Sequence, residues 1–206
     1  MIIEKYFTGM LQVNTYLVID PGSKKGFIID PGGFSVKIKE SILEKGVDLT
    51  YILLTHGHGD HIGGVEEFQK LFPAAKVVAC ETELALLAHA ELNFSRETCG
   101  KAVEIHPDMA VVDGDSLQIG GLTLHFIATP GHTRGGMCIL VDKFLFSGDT
   151  LFHQSVGRTD FPGGSMNEIK HSILNKLFIL PEDTQVLPGH MGPTTIGHEM
   201  RNNPFV

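Results

Sequence analysis

Residues 55–64 read Thr55-His56-Gly57-His58-Gly59-Asp60-His61-Ile62-Gly63-Gly64, directly behind the apolar run Tyr51-Ile52-Leu53-Leu54. Imidazole nitrogen and carboxylate oxygen are donors that borderline divalent cations such as zinc accept, so this stretch reads as a metal site. No thiolate lies nearby to close a structural site, and the expected chemistry is therefore catalytic. The apolar run reads as a buried strand, which puts the ligands on the loop at its C-terminal end, where open sheets carry their sites. His56 and His58, two apart in an extended segment, point to one side and can chelate one ion together. Asp60 and His61 are adjacent and diverge as the chain turns, so two metals fit better than one. A helix with Ile62, Val65, Phe68 and Phe72 on one stripe is predicted to begin at once. A solvated histidine-rich loop is the alternative, and the order strand, ligands, helix speaks against it.

Outward from this stretch, apolar strands alternate with amphipathic helices. Strands are predicted at Ile2–Thr8, Asn14–Asp20, Gly26–Asp30 and Tyr51–Thr55, with Phe34, Ile38 and Ile42 marking a helix between the last two. A strand at Lys76–Ala79 and a helix from about Thr82 to Leu92 follow, and residues 93–109 form the least regular part, a lid or a connector. The second half is predicted to be hairpin-rich, with strands at Met109–Val112, Ser116–Ile119, Leu122–Ala128, Gly136–Val141 and Lys143–Phe146. A last helix has Ser165-Met-Asn-Glu168 as a capping box and Ile169, Ile173, Leu174, Leu177 and Phe178 as its buried stripe. A final strand covers Thr184–Leu187. This pattern predicts an α/β (α+β) fold, a four-layer αββα sandwich of two mixed sheets with helices outside.

With 206 residues, 42% of them hydrophobic, and no linker or low-complexity tract, the chain is expected to form one domain over 1–206. The start, Met1-Ile-Ile-Glu-Lys-Tyr-Phe-Thr8, runs straight into a strand and lacks the pattern of an export signal. No apolar segment approaches the length of a membrane span. Three widely spaced cysteines, Cys80, Cys99 and Cys138, suit a reducing cytoplasm, and Cys99 and Cys138 read as packing residues. A net charge of −8 works against nucleic acid and anionic membranes as partners. The expected partner is a small molecule, and the expected state a monomer or small homo-oligomer.

One loop cannot fill two metal shells, so further ligands must come from other strand ends. His132 in Thr129-Pro-Gly-His-Thr133, Asp149 in Ser147-Gly-Asp-Thr150 and His190 in Pro188-Gly-His190 each stand just past an apolar strand with glycine before them. At these residues the chain resembles the metallo-β-lactamase superfamily, whose five motifs appear in order as Asp30, His56-x-His58-x-Asp60-His61, His132, Asp149 and His190. The resemblance implies a first metal held by His56, His58 and His132, a second by Asp60, His61 and His190, and Asp149 bridging both. Asp30 is implied as a carboxylate that orients a ligating imidazole. Zinc is the first choice for the two divalent ions, and iron or manganese accepts the same donors. The remaining histidines, His89, His106, His125 and His198, read as surface or packing residues, with His153 and His171 left open.

Within the superfamily, Gly157-Arg158-Thr159-Asp160-Phe161 and Pro188-Gly-His-Met-Gly-Pro-Thr-Thr-Ile-Gly197 resemble the single-domain glyoxalase II-like hydrolases, a group similar to hydroxyacylglutathione hydrolase. The resemblance implies hydrolysis of thioesters of the S-lactoylglutathione type, with Asp60 and Asp149 serving a metal-bridging hydroxide as nucleophile. It places Arg158 against a carboxylate of the thiol, with Thr159 and Phe161 beside it as substrate-binding residues. An ion pair with Asp160 is the competing role for Arg158. The larger relatives carry a C-terminal helical glutathione-binding domain, and here the sequence ends at Val206, so the carrier thiol is left open. The rival reading is a mononuclear iron persulfide dioxygenase using His56, His132 and Asp149, since two histidines and a carboxylate form the ligand set of oxygen-activating iron. A lactonase of the same fold is a further alternative.

Overall fold

A computed structural model describes residues 1–206. The first half contributes β1 (Ile2–Thr8), β2 (Val13–Ile19), β3 (Lys25–Ile29), α1 (Val36–Lys45), β4 (Asp48–Leu53), α2 (Gly59–Ile62), α3 (Val65–Leu71), β5 (Lys76–Cys80), α4 (Leu84–Leu87), α5 (Ser95–Cys99) and β6 (Met109–Val111). The second half contributes β7 (Ser116–Ile119), β8 (Leu122–Ala128), β9 (Met137–Val141), β10 (Phe144–Gly148), a hairpin of β11 (Leu151–Phe152) and β12 (Ser155–Val156), α6 (Met166–Ser172), β13 (Gln185–Pro188), β14 (Thr194–Thr195) and α7 (Ile196–Asn202). Strands β1 to β6 form one sheet in sequence order, antiparallel from β1 to β3 and parallel from β3 to β6. The other sheet runs β14-β13-β10-β9-β8-β7, antiparallel apart from the parallel pair β10 and β13. Both sheets are mixed, as the sequence predicts. No helix is long and apolar enough to cross a membrane.

Three apolar layers hold four structural layers together. In β2, Leu17 and Ile19 face the helices α1 and α3 with Ile38, Ile42, Val65 and Phe68. The alternate residues Tyr16 and Val18 face the opposite sheet, where Phe126, Ile139 and Phe146 meet them. A strand buried on both faces reads as an unbroken apolar run, which is why β2 and β4 stand out in the sequence. The third layer packs Leu145 and Val186 of the second sheet under Ile169, Ile173, Leu177 and Ile196. This is the αββα sandwich.

The departures from the predicted elements have physical causes. The helix predicted over Thr82–Leu92 survives only as a 3₁₀ turn at Glu81–Glu83 and the single turn of α4. Buried Asn93 ends it: its amide donates to Val103 O at 2.8 Å, its Oδ1 accepts Ser95 N–H at 2.9 Å, and its carbonyl accepts Gly59 N–H at 2.7 Å. These tertiary bonds outweigh local helix propensity. Phe34 precedes α1 instead of joining its stripe, and lies half-exposed against Phe68. Leu174 is also turned outward, because the chain widens to a π turn at Ile173–Leu177 and the buried positions become Ile169, Ile173 and Leu177. Helix α7 was not predicted; Thr195 caps it by accepting His198 N–H at 3.1 Å.

Candidate metal centre

All the candidate ligands stand at one edge of the sandwich, just past the C-terminal ends of strands drawn from both sheets. Asp30 follows β3 and the segment 56–61 follows β4, while His132 follows β8, Asp149 follows β10 and His190 follows β13. The loops are fastened by buried hydrogen bonds. Asp30 accepts Thr55 N–H at 2.8 Å and Thr55 Oγ1 at 2.6 Å, and lies 2.9 Å from His61 Nδ1. His61 Nε2 is thereby left to face the centre. The backbone carbonyl of Arg158 lies 2.7 Å from His132 Nδ1 and fixes that ring in the same way. Gly189 is required by close approach, since a Cβ there would lie 2.6 Å from the His61 ring.

The structure brings the predicted ligands together in two groups. The donor atoms of His56, His58 and His132 lie within 4.8 Å of one another, and so do those of Asp60, His61 and His190. Asp149 stands between them, with Oδ1 3.4 Å from His61 Nε2 and Oδ2 3.7 Å from His132 Nε2 and 3.8 Å from His190 Nε2. His56 Nε2, His61 Nε2 and Asp149 Oδ1 are buried and have no hydrogen-bond partner. Unpartnered polar atoms are rare in a protein interior, and three among the candidate ligands fit metal ions as the missing partners.

The electrostatics agree. Burial, reinforced by the neighbouring imidazoles, pushes His58 down to about 3 and His56 well below the usual histidine range. Both rings are therefore neutral and ligand-competent at pH 7. Burial opposes charge on His61 as well, but Asp149, Asp60 and Asp30 outweigh it and hold that group up at about 10. Three carboxylates thus favour positive charge at this point, which a divalent cation would supply. Asp60 is held well below the usual carboxylate range, since His61 and the hydrogen bond from His190 at 3.2 Å overcome the effect of burial.

Above the ligands opens a cleft of about 420 Å³ with apolar walls from Leu11, Phe94, Phe152, Val156, Phe161 and Met191. Phe161 packs 5.3 Å from His58 and 4.9 Å from Phe94. Arg158 also lines the cleft, yet its guanidinium makes two 2.7 Å bonds to Asp160 and lies 4.0 Å over the Phe161 ring. Thr159 is not among the lining residues; its carbonyl sits against Gly164. Within 93–109, α5 packs on the ligand loop: the Cys99 thiol donates to Gly59 O at 2.9 Å, and Phe94 reaches the cleft from a left-handed backbone with φ of 57°. Burial raises the thiol pKa of Cys99 and carries that of Cys138 to about 11, in keeping with packing roles.

His153 and His198 stack on each other 5.0 Å apart, away from the cleft. Neighbouring Glu199 is buried and occupied by Thr194, Gln154 N–H and Asn203, so it locks α7 to the second sheet. Two residues that hold the His190 loop were missed in the sequence. Asn14 donates its backbone N–H to Gly189 O at 2.7 Å and its side chain to Pro188 O and Met191 O, and Tyr16 Oη donates to Pro188 O at 2.8 Å. An asparagine inside the apolar run Val13–Ile19 was the available signal, because strands rarely carry one.

A sandwich of this architecture with two His/Asp clusters at one edge defines a metallo-hydrolase domain. The family model of the metallo-beta-lactamase superfamily matches residues 8–190, and the chain belongs to that superfamily. It is 39% identical to the probable metallo-hydrolase YqgX of Bacillus subtilis, over 96% of this chain and 94% of that one. It is 34% identical to hydroxyacylglutathione hydrolase GloC of Haemophilus influenzae, over 95% and 93%. Among solved structures, BLEG-1 B3 metallo-beta-lactamase superposes with a TM-score of 0.91 at 37% identity, covering 99% of both chains. TTHA1623 in a di-iron-bound form gives 0.84 at 32% identity, over 98% and 100%. ETHE1 from Myxococcus xanthus gives 0.77 at 28% identity, over 99% and 84%.

Proposed function

We propose that this protein hydrolyses thioesters of the S-lactoylglutathione type, with two divalent ions held by His56, His58 and His132 and by Asp60, His61 and His190, and with Asp149 between them. The observation that carries the reading is the completeness of both donor groups around Asp149 beneath an apolar cleft. The similarity to GloC supports the substrate class, and the di-iron form of TTHA1623 supports two ions. Zinc is the proposed metal, with iron as the competitor.

Two cations in these positions would lower the pKa of a shared water towards neutrality and polarise the thioester carbonyl. The protein's own part is positional. Asp149 faces both donor groups and sets their separation, while Asp60, ionised at all working pH values, cannot donate a proton and serves as a donor atom. Phe94, Phe152 and Phe161 exclude bulk water from the reacting carbonyl. Hydrolysis forms the acyl C–O bond and breaks C–S, and a thiolate leaves readily enough that the absence of a strong acid in the cleft is no obstacle. Arg158 offers its cation to a carboxylate on the thiol; its pair with Asp160 is exposed and screened by solvent, so a substrate can displace Asp160.

The persulfide dioxygenase reading needs only His56, His132 and Asp149, and it leaves the convergence of Asp60, His61 and His190 without a purpose. Metal analysis of the purified protein, run beside thioester hydrolysis and oxygen uptake, separates the two. The expected result is two metals per chain and stoichiometric release of thiol. Oxygen uptake with glutathione persulfide and no thioester cleavage would overturn the proposal.

A further inference from the structure

Glu83 lies outside the cluster of candidate ligands, in the 3₁₀ turn after β5, and is 1% exposed. A carboxylate this deep is usually paired with a cation. Here it makes no ion pair. Oε1 accepts the Gly57 N–H at 2.9 Å and Oε2 accepts the Gly135 N–H at 2.7 Å. Gly57 is the residue between His56 and His58, and Gly135 closes the turn that carries His132. That turn is itself tied by Gly131 N–H to Thr133 O at 2.9 Å and Thr129 N–H to Gly136 O at 2.7 Å. The contact admits no side chain, since a Cβ on Gly135 would lie 2.6 Å from Glu83 Oε2 and overlap the Glu83 backbone. Burial raises the Glu83 pKa, and the Gly57 amide, the Thr133 hydroxyl and the Gly135 amide work in the opposite direction.

The geometry points to Glu83 as the positioning residue of the three-histidine donor group, an inference that rests on the two-metal reading above. One carboxylate, with two oxygens fixed on a single carbon, holds the loop of His56 and His58 at a set distance from the turn of His132. Those two segments come from different sheets, and His58 Nδ1 and His132 Nε2 lie 2.9 Å apart across the junction. Glu83 makes no hydrogen bond to Asp60, His61 or His190; the His61 ring is set by Asp30 and the His190 loop by Asn14 and Tyr16. A separate bond, Met137 N–H to Thr55 O at 2.9 Å, joins the same two segments independently of Glu83. The sheets therefore stay docked when the carboxylate is changed.

The test is Glu83→Gln, which keeps the volume but sets an NH2 group against one of the two amide donors. Cobalt(II) titration of metal-free protein resolves the three-nitrogen position from the one containing Asp60 by their visible absorption. Affinity at the three-histidine position should fall about 10- to 100-fold, the range seen when the support of a metal ligand is removed, with the other position unchanged. Glu83→Ala should do the same. Equal weakening at both positions, or wild-type affinity at both, would overturn the assignment. So would loss of cooperative unfolding in metal-free Glu83→Gln, because the carboxylate would then be supporting the fold and not the site. If wild type itself takes up only one cobalt, the two-metal reading fails, and the comparison at the three-histidine position can still be made.

Discussion

At the scale of single residues, the site works by taking choices away from its side chains. Asp30 adopts φ of 48°, a left-handed conformation that aspartate tolerates better than most residues, and in return meets three donors on Thr55 and His61. Arg158 is the counter-example, exposed and exchangeable. Arg158→Ala should raise KM about 2- to 5-fold for a thioester whose thiol carries a carboxylate, the small effect expected of a solvent-exposed ion pair, and leave an uncharged thioester unaffected. An equal rise on both substrates would assign the arginine to its loop and to Asp160 alone. The ligand types could be read from the sequence because they cluster past the ends of apolar runs and all but His61 stand beside glycine. Tyr16 and Glu83 could not, and Asn14 only as an asparagine out of place in an apolar strand, since all three act through hydrogen bonds to distant backbone; Asn14 and Pro188 are 174 positions apart.

At the scale of elements, periodicity located the longer strands to within a few residues, because burial on two faces leaves long apolar runs, and missed the two-residue strands β11, β12 and β14. It failed where tertiary hydrogen bonds override local preference, at the helix ended by Asn93 and at α7. The pairing of α2 with α5 is of this second kind. A Cβ on Gly59 would overlap the backbone of Ser95, and Gly59 N–H and O are both engaged, by Asn93 O and by the Cys99 thiol. Gly59→Ala should therefore lower the stability of the metal-free protein by about 1–3 kcal/mol in urea unfolding, the usual effect of overpacking. An unchanged midpoint and slope would show that α5 rides loosely on the ligand loop.

At the scale of the whole molecule, the two sheets are joined at both edges. Strand β2 runs antiparallel to β3, so Asp20 at its end lies at the edge opposite Asp30. There the Ser23 hydroxyl and the Gly121 amide, the latter from the turn between β7 and β8, hold the Asp20 carboxyl at about 2, against an ordinary value of 3.8. A depressed carboxylate stabilises the fold above its unfolded pKa, and that contribution is lost as pH falls through the folded value. Asp20→Ala should melt below wild type at pH 7, with the gap closing between about pH 4 and pH 2; a gap independent of pH would remove Asp20 from this role. The opposite edge has another implication. The donor groups unite loops from both sheets, so their spacing is inherited from the apolar layer between those sheets. Phe126, Ile139 and Phe146 act there as shims beneath a two-jawed gauge. Reactivity can then drift through changes in bulk far from any donor atom.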